Sequence, residues 1–158
     1  MGKHNYNNNY KHHKKTSHQN NEPRGYSNVL CNMFDVYKPN GEDWMGFKLA
    51  KDNTYTFHHI RERRRGGKAE LENGAILTEH AHQFLNMLDY YYKQAYEDYQ
   101  HIFRQINKAH GPIDDDLLED IYGMMLDIFY YNEYNMDDYD LDYYEQFTDI
   151  KPKRKIKK

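Results

Sequence analysis

Several features are scarce in this 158-residue chain, and each scarcity excludes a class of protein. Cys31 is its one cysteine, which excludes an internal disulfide and a zinc knuckle of paired cysteines and fits a reducing cytoplasm. No apolar run approaches the roughly 18 residues that span a bilayer, and the polar, basic N-terminus lacks the apolar core of a secretory signal. We therefore expect a cytoplasmic protein that does not enter a membrane.

Basic residues are absent from one segment of the chain, and acidic residues are almost absent from another. Residues 111–150 contain no Lys or Arg, whereas residues 1–30 contain a single acid, Glu22. Residues 61–68 and the terminal 151–158 are strongly basic. Basic segments attract polyanions and acidic segments repel them, so this separation favours a nucleic acid as partner.

The same composition divides the chain into three regions. Residues 1–25 are rich in Asn, His and Lys, and we expect a disordered basic tail there. Residues 26–132 are expected to form one domain with a small core, because 17 tyrosines make up much of the 38 % apolar content. Residues 133–158, acidic and Tyr-rich and then basic, are expected to be a weakly ordered tail.

Hydrophobic periodicity predicts an α+β fold. The alternation in Met33–Tyr37, a turn at 38–41 and a second apolar run around Trp44 predict an N-terminal hairpin region with Trp44 as its core anchor. Thr54–Phe57 is β-branched and aromatic, which favours a further strand.

From Glu79 the period changes to that of a helix. Apolar residues recur at steps of three and four, which predicts a long amphipathic helix, with room for one break, ending at His110–Pro112. The run Asp114-Asp115-Asp116 is expected to supply a cap and favourable negative charge at the start of a second helix, and the two helices would pack as a C-terminal helical hairpin. The long Tyr-lined helix could also pack against a copy of itself in a homodimer.

The stretch 56–88 contains the side chains that could bind a metal ion or transfer a proton. His58 and His59 end the strand, a basic loop with Gly66–Gly67 follows, and the helix carries His82. Asn73 stands between them, in an Asn-Gly pair that would ordinarily predict a turn. A lone histidine is more often a packing or surface residue, so the inference depends on the whole set in this order.

This set resembles the HNH endonuclease motif, with its ββα-metal finger. The resemblance is carried by His58-His59-Ile60, Arg63, Gly66-Gly67, Glu72-Asn73-Gly74, Leu77, His82 and Leu85. It implies that His59 is the general base, that His58 and His82 hold a metal ion, and that Asn73 bonds across the loop to fasten the two strands. Neutral imidazole suits a base near pH 7, and neighbours on a strand face opposite sides, so separate tasks for the two adjacent histidines fit.

The expected cofactor is one divalent metal ion. Asn86 lies one helical turn after His82 and would share its face, and its amide oxygen favours Mg²⁺ or Mn²⁺. Many relatives of the HNH family brace the finger with two CxxC pairs on zinc. Thr78 and Ala81 stand where the second pair would be, so no structural zinc is expected.

The basic loop has two interpretations. It could be a solvated linker, but beside a catalytic finger it more plausibly grips the DNA backbone, because guanidinium matches phosphate bidentately. The predicted contact residues are Arg61, Arg63, Arg64, Arg65 and Lys68.

The resulting expectation is a metal-dependent endonuclease that nicks or cuts DNA. Proteins of this kind often belong to phages or mobile elements, which implies a bacterial or phage-infected host cell. One alternative is a non-catalytic nucleic-acid-binding or regulatory protein that retains the finger. Another is an interaction protein that uses its acidic, Tyr-rich tail.

Overall fold

The computed structural model describes residues 25–150, and the predicted N-terminal tail and the last eight residues lie outside this range. The described fold is α+β, with five α-helices and one two-stranded antiparallel sheet. Two 3-10 turns, Arg63–Arg65 and Leu71–Asn73, interrupt the loop between the strands, and a π-helical segment, Leu126–Tyr130, extends the fourth helix. The elements in chain order are α1 Asn28–Tyr37, β1 Tyr55–His59, β2 Gly74–Thr78, α2 Glu79–Tyr91, α3 Lys93–Ala109, α4 Asp115–Met125 and α5 Asp138–Glu145.

The sheet leads directly into α2. Its register pairs Tyr55 with Thr78 and His59 with Gly74, so the strand predicted from Thr54–Phe57 is confirmed. The Thr78 hydroxyl accepts a hydrogen bond from Ala81 N at 3.2 Å and caps α2. None of the helices within the described range is both long and apolar enough to cross a bilayer.

The predicted N-terminal hairpin is wrong. Met33–Tyr37 belongs to α1, where Ser27 caps the first turn and Lys38 ends the helix in the left-handed conformation. A five-residue alternation is too short to separate the two periods, and the burial of Leu30, Phe34 and Tyr37 at steps of four and three is helical.

Instead of a second strand, residues 42–53 form turns with two isolated bridges. The carboxylate of Asp43 organises them: it accepts from Met45 N and Phe47 N at 2.8 and 2.9 Å, and from Thr78 N and Oγ1 at 2.7 and 2.8 Å. Burial raises the pKa of Asp43 to about 6, while its hydrogen bonds lower it. Trp44 is buried against Tyr37, as expected for a core anchor.

The helical predictions are confirmed. The long helix breaks once, at Tyr92, and α3 ends at Ala109. Asp114 accepts a hydrogen bond from Leu117 N and caps α4, which packs against α3. The apolar face of α3 is buried within the chain, so a homodimer through this helix would have to use its exposed face.

The expectation of weak order after Asn132 is wrong for residues 133–150. Helix α5 buries Leu141 and Tyr144, and Met136 is buried just before it. Tyr144 contacts the rings of Phe47 and Phe84, so this acidic segment packs on the same core as the rest of the fold. Its short amphipathic pattern is concealed in the sequence by the exposed tyrosines around it.

Candidate functional site

The structure brings His58 of β1 and His82 of α2 into contact. Their rings lie 5.3 Å apart and almost perpendicular. Strand alternation directs Thr56 and His58 to the same side of the sheet, where Thr56 Oγ1 also approaches His82 Nδ1 at 3.5 Å. The two predicted metal ligands are therefore neighbours.

His58 is more enclosed than an open catalytic ligand would be. It is 7 % exposed, and its Nε2 lies 2.8 Å from Oε1 of Gln100 on α3. Gln100 Nε2 donates to the carbonyl of Ile60 at 2.7 Å, which fixes the orientation of the amide. Sequence reasoning missed Gln100, because its partners are about 40 residues away and no local pattern marks it.

This hydrogen-bond chain determines the tautomer of His58. Because Oε1 of Gln100 can only accept, His58 Nε2 carries the proton and the lone pair is left on Nδ1. Thr56 already donates its hydroxyl proton to Leu77 O at 2.9 Å, so its contact with His82 favours a proton on His82 Nδ1 and a lone pair on Nε2.

Both imidazoles are held neutral. Burial, followed by the proximity of His82, lowers the pKa of His58 to about 3. Burial, followed by the proximity of His59, lowers the pKa of His82. Neutral imidazole is the form that binds a metal ion.

His59 occupies the other side of the strand. It is half-buried, and its ring lies 4.9 Å from that of Phe57. Burial and the positive charge of Arg63 lower its pKa. Its partial exposure distinguishes it from His58 and leaves it accessible to water.

Two further polar side chains of α2 are close to His82 in sequence. Asn86 is exposed on α2, one turn beyond His82. Glu79 accepts a hydrogen bond from the Thr54 hydroxyl at 3.3 Å. The neighbours of the His82 imidazole are thus Thr56 and His58.

Asn73 makes hydrogen bonds across the loop. Its Oδ1 accepts from Arg61 N at 2.7 Å, and its Nδ2 donates to the carbonyls of Arg61 and Lys68 at 3.0 Å each. A Cβ at Gly67 would lie 1.7 Å from Arg61 O, so only glycine fits this close approach. The second glycine of the pair, Gly66, has φ of +90°.

The basic residues of the loop are exposed. They are Arg61, Arg63, Arg64, Arg65 and Lys68. Glu62 accepts from Arg64 Nε at 2.7 Å and lies 3.7 Å from Arg65 Nε. The loop faces α3, whose Arg104 and Lys108 were not among the predicted contact residues.

Whether the site can bind a metal ion depends on which side chains could act as ligands. Between residues 25 and 150, no three His, Cys, Asp or Glu side chains converge as a metal-binding group. The protein offers two adjacent neutral imidazoles, His58 and His82. These fit two positions around a divalent ion, and the rest would be filled by water and substrate oxygens.

Comparison with protein-family models, curated proteins and solved structures finds no match to this chain. The resemblance to HNH endonucleases is therefore carried by the residues named above.

Proposed function

We propose that this protein is a metal-dependent endonuclease of the HNH type, which hydrolyses phosphodiester bonds of DNA. One observation supports the proposal above all: two neutral imidazoles, His58 and His82, adjoin a half-exposed third, His59, next to a basic loop fastened by Asn73. Packing alone does not require two histidines in contact between β1 and α2 and a third as the next residue of β1.

In the proposed reaction His59 takes a proton from the attacking water. The water oxygen bonds to phosphorus, the bond from phosphorus to the leaving oxygen breaks, and that oxygen gains a proton from solvent. A lowered pKa suits this role, because the imidazole is neutral and able to accept a proton near pH 7. The guanidinium groups of the loop would hold the backbone phosphates without reading bases.

His58 and His82 would hold one divalent ion, which when bound supplies positive charge to the phosphate and the leaving oxygen. Gln100 supports His58 in this role, because an imidazole that binds a metal commonly donates its other N–H to a fixed acceptor. Mg²⁺ and Mn²⁺ remain the proposed ions, and a pair of imidazoles also suits Ni²⁺ or Zn²⁺.

The burial of His58 favours a second candidate, a non-catalytic nucleic-acid-binding protein that retains the finger. In that case the chain from His58 through Gln100 to Ile60 would be a satisfied core network.

A plasmid assay with a metal series separates the two candidates. The endonuclease is expected to convert supercoiled DNA to nicked or linear forms with Mg²⁺, Mn²⁺, Ni²⁺ or Zn²⁺, and to leave it intact in EDTA. Salt-sensitive DNA binding without cleavage in any of these metals would support the second candidate and contradict the first.

A further inference from the structure

A cleft of about 840 Å³ separates the basic loop from α3. Five basic side chains line it, two from the loop and three from the helix: Arg61, Arg65, Lys93, Arg104 and Lys108. Most of its remaining lining is polar or acidic, unlike the predominantly apolar walls of a small-molecule pocket.

Positive charge exceeds negative charge in this cleft. Three carboxylates also line it, those of Glu62, Glu72 and Glu97. Two of the five basic side chains already have an acidic partner: Arg65 lies 3.7 Å from Glu62, and Lys93 is paired with Asp89. Glu62 is also engaged by Arg64. In the described part of the chain, no carboxylate lies within ion-pair distance of Arg61, Arg104 or Lys108. An anion would supply the missing counter-charge.

The helical side of the cleft has a regular spacing. Lys93, Gln100, Arg104 and Lys108 are separated by seven, four and four residues, which places them on one face of α3. From Lys93 to Lys108 the helix rises about 22 Å. At about 3.4 Å per nucleotide this matches roughly six nucleotides of one strand.

The walls of the cleft are tied together. Asn107 Nδ2 donates to the carbonyls of Leu71 and Gly74 at 2.7 Å each, which joins α3 to the end of the loop. Gln100 joins α3 to Ile60 from the floor. A cleft fixed in this way loses little entropy when it binds a ligand.

The floor of the cleft is connected to the histidines of the candidate site by two residues. Ile60 follows His59 directly, and Gln100 contacts both Ile60 O and His58. The three histidines do not themselves line the cleft, and Ile60 and Gln100 are the lining residues that connect it to them.

We propose that this cleft binds the sugar–phosphate backbone of one DNA strand and that Arg104 and Lys108 are its binding residues on α3. The choice of DNA as ligand rests on the proposed function. The excess positive charge, the spacing along α3 and the fixed walls come from the cleft itself.

The test measures binding in EDTA, where metal-dependent cleavage cannot occur. Fluorescence anisotropy of labelled single-stranded and duplex DNA is recorded over a salt series for the double variant Arg104→Gln/Lys108→Gln. Its matched control is Lys38→Gln/Lys51→Gln, which removes two exposed charges outside the cleft. Thermal unfolding verifies that all variants fold.

Loss of two phosphate contacts is expected to weaken binding about tenfold near physiological salt and to lower the salt slope by about 1.4 for a single strand. Arg104→Lys/Lys108→Arg, which preserves charge, should retain most of the affinity. Equal affinity and slope in the cleft and control variants would overturn the proposal, as would absence of DNA binding by the wild-type protein.

The experiments distinguish failure of the proposed nuclease function from failure of the proposed binding site. If DNA binding depends on the cleft but no metal supports cleavage, the binding site is supported and the nuclease function is contradicted. If the variant Arg104→Gln/Lys108→Gln cleaves and binds DNA like the wild type, the nuclease function is supported and the binding site in the cleft is contradicted.

Discussion

At the scale of single residues, the three histidines have different environments although two are adjacent in sequence. His58 is buried and fixed by Gln100, His82 is next to it, and His59 is half-exposed on the opposite side of the strand. His58 and His59 differ because successive side chains of a strand point to opposite faces of the sheet. The division into ligands and base proposed for them depends on it.

The proposed function predicts a pH dependence of cleavage that follows from His59. The base must be neutral, so the rate should fall as pH decreases through its pKa, which burial and Arg63 place below the ordinary value of 6.5. Removing the nearby positive charge by Arg63→Gln makes the imidazolium less unfavourable and should raise this pKa. The acid limb of single-turnover cleavage is then expected to move to higher pH.

Arg64→Gln is the control for this shift, because Arg64 is paired with Glu62 and does not lower the pKa of His59. An acid limb that stays fixed in Arg63→Gln, or moves to lower pH, would exclude His59 as the titrating base.

At the scale of elements, the loop between β1 and β2 is held by its ends. Asn73→Ala removes three hydrogen bonds to Arg61 and Lys68 backbone groups and should lower the free energy of unfolding by about 1–2 kcal/mol. Urea unfolding measures this change. Gln105→Ala on the exposed face of α3 is the control, and an equal effect of both substitutions would show that the loop does not depend on Asn73.

Sequence reasoning succeeded for elements with a long period and failed for short ones. The helices after Glu79 were predictable because their periodic pattern extends over many residues, and the strand at Thr54–Phe57 was predictable from its β-branched and aromatic composition. Residues 33–37 fit both periods, and the helix is recognised only when Ser27 and Leu30 are included. Gln100 could not be found, because its role comes from contacts between α3 and β1 and not from its neighbours in sequence.

At the scale of the whole molecule, the acidic C-terminal segment is part of the core. Leu141 is fully buried, so Leu141→Ala should cost about 2–5 kcal/mol of unfolding free energy. Tyr139 is 76 % exposed, and Tyr139→Ala should change stability by no more than about 0.5 kcal/mol. Thermal and urea unfolding compare the two, and similar small losses would mean that α5 does not support the fold.

The central claim, that His59 is the base of a metal-dependent nuclease, is tested most directly by one substitution. Single-turnover cleavage of supercoiled plasmid is measured for the wild-type protein, His59→Ala and His101→Ala, the last removing an exposed histidine of α3. With a divalent metal present, we predict that His101→Ala cleaves like the wild type and that His59→Ala is slower by about 100-fold or more. Equal cleavage by His59→Ala and the wild type would contradict the account.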